Sequence, residues 1–269
     1  MNIFKKFFDL FQKKKIIQLP SLKNFGWTRD LPDPRDFKFK ISAPVELPLS
    51  VDLRKNCPYV YNQYELGSCT ANALGAAFQF EQIKQNKKDF VPSRLFIYYN
   101  ERVIENTINQ DAGAMIRDGI KTMVKDGVCP EKMWKYKPWK FKRLPPKECY
   151  TIGLENQVLE YLRITPHSLY EVKHCLSDGY PISFGFMIFE SMMTERVATT
   201  GNVPVPSKTE KPIGGHAVLA VGYNDKKKAL LVRNSWGKEW GINGYFWLPY
   251  EFVTQPNMSA DYWTIRMVE

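Results

Sequence analysis

The sequence predicts an α+β protein of two lobes, a helical one followed by a β-rich one, and two features of the apolar pattern carry that expectation. Between residues 68 and 127 the apolar side chains recur at helical spacing, and beyond residue 180 they gather into runs of strand length. With 269 residues, 44% of them apolar, the chain can bury a substantial core. No window approaches the ~18 consecutive apolar residues of a membrane span.

The chain opens with Ile3, Phe4, Phe7, Phe8 and Phe11 on one face of a short helix and lysines opposite, a basic amphipathic pattern. Six lysines against Asp9 give residues 1 to 25 a net charge of +5, half of the +10 of the whole chain. Lys5 and Lys6 interrupt any signal-peptide core, so neither a signal peptide nor a transmembrane segment is expected. The stretch that follows, "LPSLKNFGWTRDLPDPRDFKFKISAPVELP", is punctuated by proline and suits an extended strap. Residues 1 to 46 read as an N-terminal extension, and residues 47 to 269 as the folded domain. Phe25, Trp27, Phe37 and Phe39 are side chains that a free linker has no reason to hold, so the strap is expected to dock on the body, across a cleft or as a brace. Membrane attachment through the first helix is the rival expectation.

Three helices fill the first lobe, about residues 47 to 165. Residues 68 to 85 carry Leu74, Ala77 and Phe78; residues 93 to 105 follow Pro92; residues 113 to 126 carry Met115, Ile116, Ile120, Met123 and Val124, with Gly127 as the stop. The second lobe, about residues 166 to 269, opens with a helix at "SLYE", where Ser168 and Glu171 form a capping-box pattern. Strands are then predicted at 181 to 189, 216 to 223, 229 to 235, 244 to 249 and 262 to 268.

Five cysteines, Cys57, Cys69, Cys129, Cys149 and Cys175, are an odd number too scattered for a disulfide framework, which points to a reducing, intracellular and cytoplasmic setting. The segment "KMWKYKPWKFKRLPPK", residues 132 to 147, holds seven Lys/Arg and no acid, interleaved with aromatics. A nucleic-acid surface is one reading of it, and a solvated packing loop the favoured one.

The stretch "NQYELGSCTANALGAAF", residues 62 to 78, sets Cys69 at the first turn of a helix, where backbone N–H groups and the helix dipole favour a thiolate. His216 follows two glycines in "IGGHAVLAVGY", at the start of a strand, and is the natural base. Asn234 in "VRNSWGKEWG" ends the next strand, beside Trp236 and Trp240, and its amide suits one imidazole nitrogen while the other faces sulfur. His167 and His174 have no such company, and no pair of residues has metal-ligand spacing, so neither metal nor cofactor is expected.

These motifs together resemble the papain-like cysteine peptidases. Gln63 stands six residues before Cys69, His216 lies 147 residues after it, and "NSWG" with "WGINGYF" supplies the asparagine and its tryptophan cover. The resemblance covers about residues 47 to 269, since "LPLSVDLR" is similar to the start of a mature enzyme of the family. It implies a papain-like two-lobe fold with the active-site cleft between a helical lobe and a β-rich, barrel-like lobe. It further implies a polypeptide substrate, Cys69 as nucleophile, His216 as base, Asn234 as orienting group and Gln63 as oxyanion donor.

The chain departs from the family pattern at Leu66, where relatives carry a disulfide cysteine, and at Thr70, where they carry tryptophan. Its short extension resembles the disulfide-poor members of bacteria and large DNA viruses. By the same resemblance "DAGAM" supplies substrate contacts, with Gly113 as the strand-pairing position. Ala114, Met115, Gly185 and Gly214 would wall a roomy apolar pocket for the second residue before the cleaved bond, with Gly215 and Trp236 beside it. The alternative of a non-catalytic interaction protein on the same scaffold, nucleic-acid binding included, has the intact quartet of Gln63, Cys69, His216 and Asn234 against it.

Overall fold

A computed structural model describes residues 25 to 269 apart from residues 42 and 44; the amphipathic helix expected at residues 3 to 11, and the membrane reading with it, lie outside them. Three helices build the first lobe: α1 (Cys69–Lys84), α2 (Arg94–Ile104) and α3 (Ile116–Lys125). Ser93 caps α2, its hydroxyl accepting from Phe96 N at 3.2 Å. Helix α1 is buried from Cys69 through Gln82, because α2 and α3 cover one side and a sheet the other. Its run of small residues, Ala71, Ala73, Gly75, Ala76 and Ala77, lets all three approach closely.

The sheet among the described residues has seven strands: β1 (Ser50–Asp52), β2 (Val158–Arg163), β3 (Ile182–Phe189), β4 (Pro212–Asn224), β5 (Ala229–Arg233), β6 (Tyr245–Pro249) and β7 (Ser259–Val268). Their order is β2-β7-β3-β4-β5-β6, all pairs antiparallel, with β1 on β4. Strand β4 is central and apolar on both faces. Ala217, Leu219 and Val221 pack in the cluster of the helices, while Val218, Ala220 and Tyr223 join Phe184, Phe186, Val232 and Phe246 in a second core.

The five expected strands and the three helices of the first lobe are present, as is the helix at residue 168, α5 (Leu169–Ser177), which follows the short α4 (Lys147–Gly153). Only half of its capping box forms: Ser168 Oγ accepts from Glu171 N, but the Glu171 carboxylate accepts from Thr165 N. Strand β2 falls inside the stretch read as helical lobe, since its pairing with β7 is long-range and "VLEYLR" alternates weakly. Two further short helices, α6 (Glu195–Thr200) and α7 (Glu251–Thr254), span too little sequence for a periodic signal.

The strap lies on the body. Trp27 pairs with Ala114 and Lys38 with Arg163 as isolated parallel bridges, and Phe39, 7% exposed, joins the core of the sheet lobe. Phe37 departs from expectation: it stays 63% exposed, edge-on to Tyr161. No helix among the described residues is long and apolar enough to cross a membrane.

Candidate active site

Cys69 is the first residue of α1, and Ser68 before it makes no side-chain cap. Instead the Ser68 hydroxyl pairs with Tyr136 OH at 2.6 Å and accepts from Asn72 Nδ2 at 3.1 Å. The thiol is fully buried, and backbone N–H groups of Ala217 and Gly26 face its sulfur. Ala217 follows His216 on β4, so the helix start and the sheet meet at this point.

His216 is buried under Trp236, whose ring stacks on the imidazole at 4.7 Å between centroids. Its Nε2 lies 2.9 Å from Asn234 Oδ1, while Nδ1 has no hydrogen-bond partner. Because Asn234 Oδ1 can only accept, Nε2 carries the proton in the neutral ring and Nδ1 keeps its lone pair. Trp240 braces Trp236 edge-on at 4.9 Å, which keeps water from the His216–Asn234 bond. Gln63 is buried and fixed from both ends of its amide: Nε2 donates to Leu66 O at 2.9 Å, and Oε1 accepts from Ser235 Oγ at 2.6 Å. The structure thus gathers Gln63, Cys69, His216 and Asn234 around the junction of α1 and β4.

Sequence reasoning missed three supports of this quartet. Ser235 was legible as the neighbour of Asn234, whereas Tyr136, which donates to Gln63 O at 2.9 Å, sits in the basic segment. That segment is divided: Trp134 and Tyr136 pack inward, while Trp139 stays 60% exposed with Lys137, Lys140 and Arg143 around its ring. The third is Asp111, which accepts from Gly67 N and Tyr98 OH beside the cleft. Among the described residues no three His, Cys, Asp or Glu side chains converge on a metal-sized site.

The strap enters this site. Trp27 N donates to Gly215 O at 3.1 Å, Thr28 N to Ala114 O at 3.0 Å, and Ala114 N to Gly26 O at 2.8 Å. A Cβ on Gly26 would overlap the Gly67 carbonyl, and one on Gly113, whose φ is +74°, would overlap the Gly26 carbonyl, so two glycines let the chains cross. The strap therefore pairs at Ala114, while the N–H of Gly113, the position expected to pair with substrate, donates to Tyr98 OH at 3.2 Å. The strap also spreads over the residues expected to wall one pocket. Gly185 and Gly215 flank the Trp27 ring, Gly214 meets Phe25, and Met115 lies with Thr28 and Leu31 along a separate hollow. Phe25 stands 6.5 Å from Trp236 and 6.4 Å from His216 between ring centroids.

Burial under this cover sets the protonation of the pair. It pushes the Cys69 thiol up to about 12, against the pull of the Ala217 and Gly26 N–H groups, and pulls the His216 imidazole down to about 4, against the Asn234 hydrogen bond. With the strap in place sulfur keeps its proton and the ring stays neutral.

The wider likeness agrees with this geometry. The profile described as papain family cysteine protease matches residues 47–262. A peptidase C1-like protein of Acanthamoeba polyphaga mimivirus is 43% identical over 272 aligned positions, covering 91% of this chain and 88% of its own. Xylellain, a cysteine protease from Xylella fastidiosa, superposes with a TM-score of 0.84 at 40% identity, covering 94% of this chain and all of the other. Procathepsin B of Trypanosoma congolense shares the fold, with a TM-score of 0.69 at 14% identity over 90% of this chain and 85% of its own. The chain belongs to the papain family and is a cysteine peptidase.

Proposed function

We propose that this peptidase cleaves polypeptides by nucleophilic attack of Cys69, with residues 25 to 28 of its own extension occupying the cleft as a built-in inhibitor. The observation that carries the catalytic reading is the His216 Nε2–Asn234 Oδ1 contact of 2.9 Å, which leaves Nδ1 unpartnered on the residue before Ala217, whose backbone N–H faces the Cys69 sulfur. Once the strap leaves, solvent reaches both groups and the proton moves from Cys69 Sγ to His216 Nδ1. The thiolate attacks the amide carbonyl carbon to give a tetrahedral oxyanion. Gln63 Nε2 and the Cys69 N–H would receive that oxyanion, each donor contributing ~10²–10³ in kcat. His216 then protonates the leaving amine, the C–N bond breaks, and water hydrolyses the thioester with His216 as base. Asn234 fixes the ring throughout.

The inhibitory reading rests on three backbone hydrogen bonds between strap and cleft and on the Gly26 N–H facing the sulfur. Residues 47 to 269 are then the working unit and residues 25 to 39 its cover, in keeping with a family match that begins at residue 47. Labelling of Gly26→Val, in which a side chain would clash with the Gly67 carbonyl and lift the strap off Cys69, with an irreversible thiol-directed peptide electrophile, followed by mass-spectrometric mapping, tests the catalytic reading. Modification at Cys69, absent in Cys69→Ala, is expected; labelling only at Cys57, Cys129, Cys149 or Cys175 refutes it.

A further inference from the structure

Resting on that peptidase reading, we propose that Asp261 is a specificity residue: its carboxylate selects a substrate side chain that carries a neutral N–H donor, tryptophan above all, for the pocket now filled by Trp27. The Trp27 indole lies against Gly185 and Gly215, and a Cβ at either position would overlap the ring. Nε1 reaches past these walls to Asp261 Oδ2 at 3.1 Å. Asp261 is 1% exposed and held in the left-handed region at φ +57°, an uncommon conformation for a residue inside a strand. This pocket is deep, flat-walled and closed by an acceptor.

What the strap takes with it on leaving defines the ligand. Asp261 Oδ2 loses two donors, Trp27 Nε1 and Asp30 N, while Oδ1 keeps Arg163 Nη2 at 3.4 Å. Arg163 in turn loses Asp36, so one carboxylate and one guanidinium remain as a pair. An arginine or lysine side chain would have to compete with Arg163 for that carboxylate. An apolar ring of the same shape would leave Oδ2 buried without a partner, and sites built to hydrogen-bond discriminate strongly against analogues that lack the donor. An indole N–H adds to the pair without displacing it. The pocket reads a side chain, so this holds whichever way the occupying backbone runs. The apolar preference expected from the glycine walls is thereby narrowed to one aromatic side chain.

The test uses the full chain with Gly26→Val to expel the strap, at about pH 8, above the value of about 7 to which burial and the Asp30 charge push Asp261 while the strap is docked. Two peptides differ only at the second residue before the cleaved bond: tryptophan, or benzothienylalanine, in which sulfur replaces the indole N–H. A kcat/KM ratio of at least ~10 in favour of tryptophan is expected. It should vanish in Asp261→Gly, where glycine accepts the same φ, and partly persist in Asp261→Asn, whose side-chain oxygen still accepts. Equal rates for the two peptides, or faster cleavage of an arginine peptide, overturn the assignment and leave the peptidase reading standing. No cleavage of either peptide together with no labelling of Cys69 overturns both.

Discussion

Residues 25 to 28 and residues 30 to 36 hold the same strap by different physics. The first stretch is neutral and uses backbone hydrogen bonds, two facing glycines and an indole in a slot. The second is ionic: Arg117 forks onto Asp36 at 2.9 and 2.7 Å, Arg163 bridges Asp36 and Asp261, and Asp30 accepts from Trp263 Nε1 at 2.8 Å and Arg117 N at 3.2 Å. The neutral stretch decides whether Cys69 is covered, and the ionic one how tightly and at what pH. The difference teaches that occlusion and its regulation are separable along the chain.

The largest expected effect breaks the neutral stretch alone. Gly26→Val forces a side chain into the Gly67 carbonyl, and a clash of about 3 kcal/mol should weaken docking about 100-fold. Turnover of a small fluorogenic peptide should rise accordingly; an unchanged rate would mean that the strap does not limit access. Asp36→Asn attacks the ionic stretch and leaves the buried Arg117 and half-buried Arg163 guanidinium groups short of their anion, a loss of about 2 kcal/mol. It should raise turnover less than Gly26→Val and, unlike it, lower the thermal midpoint of the body that carries Arg117 and Arg163.

The pH dependence sharpens the comparison further. Exchanging a thiolate–imidazolium pair for a neutral pair moves one proton within the site and takes up none, so the neutral stretch makes docking no more pH-sensitive. Asp30 and Asp261 differ. Burial raises both, Asp261 to about 7, against the charges of Arg163 and Arg117 and the donors Trp27 and Asp30 N, with Asp30 and Asp36 adding negative charge nearby. A carboxyl raised in the docked state binds a proton on docking. Docking is therefore strongest below the undocked value and is lost as pH rises through about 7, by roughly tenfold between about pH 6 and 8. The ratio of wild-type to Gly26→Val turnover should climb over that range; a falling ratio would reverse the sign assigned to these carboxylates. The smallest effect concerns the other thiols. All five cysteines are unpaired in the structure, so alanine at Cys57, Cys129, Cys149 or Cys175 should spare turnover, as should dithiothreitol.

The helices were legible because 3.6-residue spacing is a local signal, and the proposed quartet was picked out on signals as local, a cysteine at a helix start and a histidine after two glycines. Asp261 was not. Its neighbours in space are Trp27 and Asp30, more than 230 residues away, and its left-handed φ leaves no mark in "SADYW". The pairing of the strap at Ala114 beside Gly113 has the same origin, since glycine marks where backbones must pass closely, and here the passing and the pairing fall on adjacent residues. The aromatics of the strap announced docking, but only the slot between Gly185 and Gly215 singles out Trp27 from Phe37.

The central claim is that residues 25 to 28 keep Cys69 covered and protonated, and the rate of Cys69 modification by a peptidyl electrophile at neutral pH measures both conditions at once. The second-order rate constant, followed by mass spectrometry in wild type and in Gly26→Val, should rise about 100-fold in the variant with modification confined to Cys69. Equal rates in the two proteins would contradict the account, because a thiol that reacts as fast beneath the strap as without it is neither covered nor held neutral by it.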